Sequence, residues 1–157
     1  MIDPSADTSP IFLSFRRDDA GHATVLYDEL EGRFRGAVLF DFLYDPADWV
    51  GELIETVRRS ALVVALIGTK WLDTLTERRT SGETFSDAVH IELLAALRHE
   101  VPVLAVLVDD ASLPTPSELP PELSPLADTP SVRLRDASWR QDLDAVVEAI
   151  ERYRLAP

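Results

Sequence analysis

One carboxylate, Glu92, stands among apolar and small residues in the segment DAVHIELLAAL at positions 87–97. If this segment is a helix, the side chains three and four positions away are the neighbours of Glu92 on its surface. These neighbours are Ala88, Val89, Ala95 and Ala96. An exposed helical Glu more often lies among polar residues, so the small neighbours indicate room for a ligand or a partner to approach the carboxylate. The alternative is a solvated Glu at the edge of a packed helix.

Strands and helices alternate along the sequence around this segment. Short apolar runs predict strands at 11–15, 37–40, 61–67, 101–108 and 131–134. Apolar residues at helical spacing predict helices at 22–34, 49–57, about 86–99, and from Ser138, where Gln141 completes a capping box. Strict alternation of this kind predicts an α/β fold built on a parallel sheet with right-handed crossovers.

The predicted fold class is flavodoxin-like, with a five-stranded parallel sheet in the order 2-1-3-4-5 and helices on both faces. The run ALVVALI at 61–67 is apolar throughout, as expected for a strand that helices cover on both sides. A polar insertion follows this strand, and the proline-rich stretch 109–130 predicts a long loop. We expect residues 1–10 to be a disordered leader and 11–155 to be a single domain, either alone or within a longer native chain.

In open parallel sheets, ligands bind beyond the carboxyl ends of the strands, at the point where the strand order reverses. This rule selects three segments of the chain: RRDDAG at 16–21, the loop after Phe40, and GTKW at 68–71. Motifs of other proteins with related folds are missing from the sequence. There is no GxGxxG loop, no P-loop, no phosphoacceptor Asp at the end of the third strand, no HExxH and no GxSxG elbow.

The charge balance limits the possible partners. The formal net charge of the 157 residues is -13, and 14 of the 15 basic residues are Arg. This composition argues against binding to nucleic acid or to an anionic membrane, but it allows a small anionic ligand held by a few arginines. No apolar run reaches the roughly 18 residues that span a bilayer. Without cysteine there are no thiolate metal sites, and we expect no bound metal and a location in the cytoplasm.

Several segments resemble the TIR (Toll/interleukin-1 receptor) domain family in its bacterial form. They are IFLSFRRDDAGHATVLYDELEGRF, LFD, ALIGTKWLD, DAVHIELLAAL and VPVLAVLVD, which follow one another in the family's order over about residues 11–150. IFLSFRRDD is similar to the first-strand signature ISYRR, and ALIGTKWL to the third strand of bacterial members. The resemblance implies one of two roles. Some TIR domains are adaptors that assemble with one another, and others cleave NAD⁺ between nicotinamide and ribose.

The resemblance also implies that Glu92 is catalytic, because NAD⁺-cleaving members carry a Glu in the helix after the third strand. Nicotinamide leaves as a neutral base and needs no general acid. The ribose becomes oxocarbenium-like, as in glycoside hydrolysis, and a nearby carboxylate can stabilise that charge and hold the ribose hydroxyls. NAD⁺ would then be the substrate, and no cofactor is expected.

By the family pattern, Arg16 and Arg17 flank the nucleotide. Two cations would offset the two negative charges of the pyrophosphate in an otherwise acidic protein. The alternative is that one or both arginines pair structurally with Asp18, Asp19 or another of the many acidic residues.

Three further residues belong to the expected substrate site. Phe15 takes the place of the family's Tyr, Asp41 matches an Asp that lines the pocket, and Trp71 lies where the topology predicts a ligand. Each has a structural alternative. Phe15 could belong to the core, Asp41 could cap its loop, and Trp71 could pack the polar insertion onto the sheet.

The sequence departs from the family at two places. NAD⁺-cleaving members often have an aromatic residue four positions before the catalytic Glu, where this chain has Ala88. The stacking surface for the nucleotide would then come from Phe85, from Trp49 or from a neighbouring subunit. The loop DFLYDPADW at 41–49 is shorter than usual and lacks the family's Gly, which affects the segment that gates the site and mediates assembly.

These observations support three hypotheses. The first is an NAD⁺ glycohydrolase that self-associates and acts as an effector or signal generator in bacterial immunity against phage. The second is a non-catalytic TIR scaffold that binds other TIR domains, which Ala88 and the short loop favour. The third is a sensor that binds NAD⁺ or ADP-ribose without cleaving it.

Overall fold

A parallel β-sheet runs through the centre of the protein. The computed structural model describes residues 10–35, 38–39, 49–84 and 87–155. The strands are β1 (Ile11–Ser14), β2 (Val38–Leu39), β3 (Leu62–Ile67), β4 (Val103–Val108) and β5 (Ser131–Leu134). They lie in the order β2-β1-β3-β4-β5, and every neighbouring pair is parallel. The predicted α/β class, with a parallel sheet and helices, is confirmed.

Five α-helices connect or follow the strands in the described part of the chain. They are α1 (Ala20–Phe34), α2 (Trp49–Arg59), α3 (Trp71–Thr80), α4 (Ala88–Arg98) and α5 (Trp139–Leu155). Short 3-10 segments lie at Arg17–Asp19, Pro121–Asp128 and Asp136–Ser138. Within the described ranges, no helix combines the length and the apolar character needed to cross a membrane.

An apolar layer packs on each face of the sheet, and we name each layer by its helices. The α2/α4 layer includes Phe12, Leu53, Val57, Trp71, Leu93 and Leu123, and the α1/α5 layer includes Ile11, Leu13, Leu26, Leu143 and Ile150. Side chains of a strand alternate between its faces, so Phe12 enters one layer while its two neighbours enter the other. Both β3 and β4 are buried along their whole length because helices cover them on both sides.

The polar insertion and the predicted loop at 109–130 both contain helical structure. Part of the polar insertion after β3 forms α3, which buries Trp71 and Leu75 four positions apart on one helix face. The stretch 109–130 contains the 3-10 segment Pro121–Asp128, which buries Leu123 and Leu126. Only a few apolar residues mark each segment, so their patterns are too short to indicate a helix from sequence.

At the start of α5, the carboxylate of Asp142 accepts the local hydrogen bonds in place of the predicted Gln141. The Ser138 hydroxyl donates a hydrogen bond to Asp142 Oδ2 over 2.8 Å, and the backbone N–H of Arg135 donates to the same atom over 2.9 Å. These hydrogen bonds hold the pKa of Asp142 below its ordinary value. Asp142 follows Ser138 by four positions, one helical turn, and therefore takes the place predicted for Gln141.

Substitutions at the neighbouring residues Leu26 and Val25 test which face of α1 stabilises the fold by packing. Leu26 is fully buried in the α1/α5 layer, whereas Val25 is 47% exposed. We expect Leu26→Ala to lower the free energy of unfolding by about 2–5 kcal/mol, because it leaves a cavity. Val25→Ala should change it by no more than about 0.5 kcal/mol. Urea denaturation followed by circular dichroism measures both, and similar losses would contradict this packing.

Candidate functional site

A buried ion pair joins the end of β1 to the start of α4. The guanidinium of Arg16, two residues after β1, donates two hydrogen bonds to the carboxylate of Asp87, and the bond from Nη2 to Oδ2 is 2.9 Å long. The two side chains are only 5% and 2% exposed. Asp87 immediately precedes α4, but its carboxylate makes no capping bond to that helix. Both oxygens of Asp87 therefore serve to hold Arg16.

The indole of Trp71 completes this cluster. Trp71 begins α3 and is 1% exposed. The guanidinium carbon of Arg16 lies 5.8 Å from the centre of its ring, a distance at which the cation is attracted by the face of an aromatic ring. The structure thus brings together two predicted site residues, Arg16 and Trp71, and adds Asp87, which the sequence interpretation did not select. We call these three residues the Arg16 cluster.

Glu92 lies inside the protein. It sits in the middle of α4, and its side chain is 1% exposed. Val89, Ala95 and Ala96 on the same helix are also buried. The alternative interpretation of Glu92 as a solvated residue is therefore wrong. Removing an ionised carboxylate from water costs several kcal/mol before its new interactions are counted, so this position is not one that packing alone would favour.

A second carboxylate, Asp19, is buried where β1 and β3 end. Asp19 is 8% exposed, and the N–H of Gly68 donates a hydrogen bond to its carboxylate. A Cβ atom on Gly68 would lie 2.1 Å from Asp19 Oδ1, so the close approach requires glycine. Burial raises the pKa of Asp19, and the bond from Gly68 and the nearby His22 oppose that shift. Among the described residues, Oδ2 of Asp19 has no hydrogen-bond partner.

Two of the other predicted site residues, Phe15 and Arg17, do not join the Arg16 cluster. Phe15 packs against the α1/α5 layer, because strand alternation turns it to the opposite face of the sheet from Arg16. Arg17 is exposed in the 3-10 turn that follows. Asp41 lies outside the described residues, as does Phe85.

His90 is a structural residue of α4. It is 2% exposed, and its Nε2 lies 3.2 Å from Glu122 Oε1 in the 3-10 segment Pro121–Asp128. This contact ties α4 to the long connection between β4 and β5. Trp49, one of the possible stacking residues, packs half-buried against the α2/α4 layer.

Asp19 and Asp87 each left a weak signal in the sequence. Asp19 belongs to the segment RRDDAG, which the switch-point rule selected, but an Asp in a loop is usually solvated. Asp87 precedes a helix, where Asp is common as a capping residue. Neither pattern indicates that the carboxylate is buried, because that depends on contacts with distant segments.

Comparison with known proteins identifies relatives of this structure. A family model described as the TIR domain matches residues 11–149. The fold is similar to that of a metazoan TIR-STING receptor from C. gigas, solved in complex with 2′,3′-cGAMP. That match has a TM-score of 0.55 and 21% identity, and covers 93% of this chain and 41% of that one. The chain thus spans about two fifths of the receptor's length.

The TIR domains of the activated Roq1 resistosome, which directly recognizes the pathogen effector XopQ, are also similar. They match with a TM-score of 0.60 and 15% identity over 90% of this chain and 99% of that one. Identities at this level show a shared fold. No curated protein sequence matches the chain.

The Arg16–Asp87 pair leads to a prediction about stability. Asp87→Ala leaves a buried, unpaired guanidinium, and we expect it to lower the free energy of unfolding by about 3–5 kcal/mol. The double variant Arg16→Met with Asp87→Leu removes both charges and should lose less stability than Arg16→Met alone and Asp87→Leu alone lose in sum. Urea denaturation of these three variants and of Asp87→Ala measures the losses and the coupling. Glu55→Ala, which breaks an exposed pair with Arg58, is the control and should change stability little. Equal losses from Asp87→Ala and the control would contradict the buried pair.

The raised pKa of Asp19 gives a pH-dependent prediction. Folding then favours the protonated carboxyl, so ionised Asp19 lowers stability above its folded-state pKa, and this loss disappears as the pH falls towards the ordinary value of 3.8. Asp19→Asn should therefore be more stable than the parent protein at pH 7, with a difference that shrinks on acidification. Thermal unfolding from pH 7 to pH 4 measures this difference. Asp28→Asn, at an exposed carboxylate of α1, is the control, and the same profile for both variants would contradict the prediction.

Proposed function

This chain belongs to the TIR domain family, and we propose that it is an enzyme that cleaves NAD⁺ between nicotinamide and ribose. In this proposal Glu92 is the catalytic carboxylate. NAD⁺ is a substrate and not a resident cofactor. We further propose that the enzyme is an effector or signal generator in bacterial immunity against phage and works in the cytoplasm.

The burial of Glu92 is the observation that carries the proposal. An acidic side chain that is 1% exposed in the middle of a mostly apolar helix costs folding energy that an apolar residue would not. Residues that destabilise the folded state in this way are commonly found at functional sites of proteins. By the family pattern, Glu92 also stands where NAD⁺-cleaving members carry their catalytic Glu.

A desolvated carboxylate suits the proposed reaction. As the glycosidic bond to C1′ breaks, its electron pair leaves with the ring nitrogen of nicotinamide, and positive charge develops on the ribose. The low dielectric around Glu92 strengthens its attraction to that charge. Water then adds to C1′ and loses a proton to solvent, giving ADP-ribose. A ribose hydroxyl of the adenosine end or an adenine nitrogen in place of water would give a cyclised product.

The two arginines take different roles in this proposal. Arg16 is bound through both terminal nitrogens to Asp87, so its main task is to position the start of the helix that carries Glu92. Arg17 is exposed one residue later, and it is the cation that we assign to the pyrophosphate. The ring of Trp71 supports Arg16 from one side.

Substrate access requires a change from the conformation described. With Glu92 at 1% exposure, the ribose of NAD⁺ cannot contact the carboxylate until the residues packed on it move. We propose that self-association through TIR–TIR contacts drives this opening, so that the dilute, isolated domain has little activity.

A specific observation favours the scaffold as a second candidate. The guanidinium of Arg16, one of the two cations expected to hold the pyrophosphate, is already paired with a buried carboxylate. A TIR domain that only binds other TIR domains needs no nucleotide site, and the pair would then be purely structural. The third candidate, a sensor, binds NAD⁺ or ADP-ribose and releases no nicotinamide.

Nicotinamide release from concentrated protein tests the proposal. NAD⁺ is incubated with and without a crowding agent, and free nicotinamide is measured by chromatography. Glu92→Gln keeps the shape of the side chain but loses its charge, and we expect it to reduce the rate by about 100-fold or more. Glu122→Gln, which alters a carboxylate that contacts α4 through His90, is the matched control and should keep the parent rate.

Each other outcome points to a different conclusion. No release under any assembly-promoting condition would reject the enzyme, and with no NAD⁺ binding it would favour the scaffold. NAD⁺ binding without release, measured by calorimetry, would favour the sensor. Release that Glu92→Gln leaves unchanged would reject Glu92 as the catalytic residue, and the melting temperature of that variant shows whether it is folded.

A further inference from the structure

Three side chains with metal-binding atoms meet beside the α1/α5 layer. His22 lies in the first turn of α1, Asp109 directly follows β4, and Asp136 begins the short turn before α5. His22 Nε2 is 2.9 Å from Asp136 Oδ1 and 4.0 Å from Asp109 Oδ2. One ligand atom from each residue lies within 4.8 Å of the other two. These residues come from three separate elements, and none of them belongs to the site proposed around Glu92.

The backbone around Asp109 holds this group in place. Asp109 has a φ of 48°, in the left-handed region, and its N–H donates to the carbonyl of Leu134 over 2.9 Å. The guanidinium of Arg133 donates to the carbonyl oxygens of Asp109 and Ala111. The Asp109 Oδ1 atom accepts the N–H of Asp136 over 2.9 Å, which leaves Oδ2 on the side of His22. Such surrounding hydrogen bonds are what orient metal ligands in proteins.

We propose that His22, Asp109 and Asp136 form a binding site for a divalent first-row metal ion, of which Zn²⁺ and Mn²⁺ best match one imidazole and two carboxylates. Neighbouring ligand atoms of a tetrahedral zinc site are roughly 3.4 Å apart for bonds of about 2.1 Å. The two distances from His22 Nε2 lie on either side of this value, and all three ligand atoms lie within 4.8 Å of one another, so side-chain rotations can bring them into this geometry. The two carboxylates balance the charge of the ion, because the imidazole ligand is neutral. The ion in turn offsets the repulsion between the two carboxylates.

The site has room for a further ligand on the metal. A depression of about 500 Å³ lies beside it and is lined by Gly21, His22, Val25, Asp136 and Trp139. Three protein ligands leave at least one coordination position, which faces water or a small anion in this depression. The ring of Trp139 lies 6.2 Å from that of His22 and forms an apolar wall. A bound ion would link the start of α1 to the ends of β4 and β5.

Metal titration of the chelator-treated protein tests this site. We expect calorimetry with Zn²⁺, repeated with Mn²⁺, to show one saturable site per chain. His22→Gln and Asp136→Asn change half-exposed or exposed side chains, and each should weaken binding at least 10-fold. His99→Gln, at the exposed histidine on the last turn before β4, is the matched control and should bind as the parent does. At 100 times the dissociation constant, Zn²⁺ should raise the melting temperature by about 5 °C or more in the parent and control only.

Several results would overturn the proposal. Zn²⁺ binding of the same strength in His22→Gln would show only the general attraction of an acidic chain for cations. Displacement of Zn²⁺ by equimolar Mg²⁺ would also indicate general attraction for cations, because Mg²⁺ prefers oxygen ligands and does not need the imidazole. Absence of saturable binding would leave His22 as an ordinary ion-pair partner of Asp136. The melting temperatures of the metal-free variants verify that each protein is folded before it is titrated.

Discussion

The buried ion pair between Arg16 and Asp87 fixes the geometry of the candidate site. Two charged groups separated by 71 positions in sequence meet in a region where each is at most 5% exposed. A charge held there without its partner would cost several kcal/mol, so the end of β1 and the start of α4 must fold against each other. Glu92 lies just over one helical turn from that junction. Its position relative to the sheet therefore depends on an interaction that it does not itself make.

The apolar layers offset the cost of burying several charged side chains. Arg16, Asp19, Asp87 and Glu92 are all buried or nearly so, whereas the centres of β3 and β4 are wholly apolar. Burial of the two layers supplies the favourable free energy of folding, and this offsets the cost of removing the charged side chains from water. In open parallel sheets, ligands commonly bind beyond the carboxyl ends of the strands, whereas the buried strand centres contribute mainly to stability.

The short connection from β1 to α1 serves both faces of the sheet. Arg16 turns to the α2/α4 layer, Asp19 contacts Gly68 after β3, and His22 reaches the ends of β4 and β5. The Arg16 cluster and the His22 group therefore both take a side chain from this segment.

Local pattern alone determined the α/β class, the approximate strands and helices, and the segments at the carboxyl ends of the strands. It also marked Glu92 by its small neighbours. The tertiary structure decided that Glu92 is buried, that Arg16 pairs with Asp87, and that Phe15 lies on the opposite face. Periodicity describes one element at a time, whereas burial and ion pairing depend on which distant element packs against it. Only the parallel register of β1 and β3 and the docking of α4 bring those partners together.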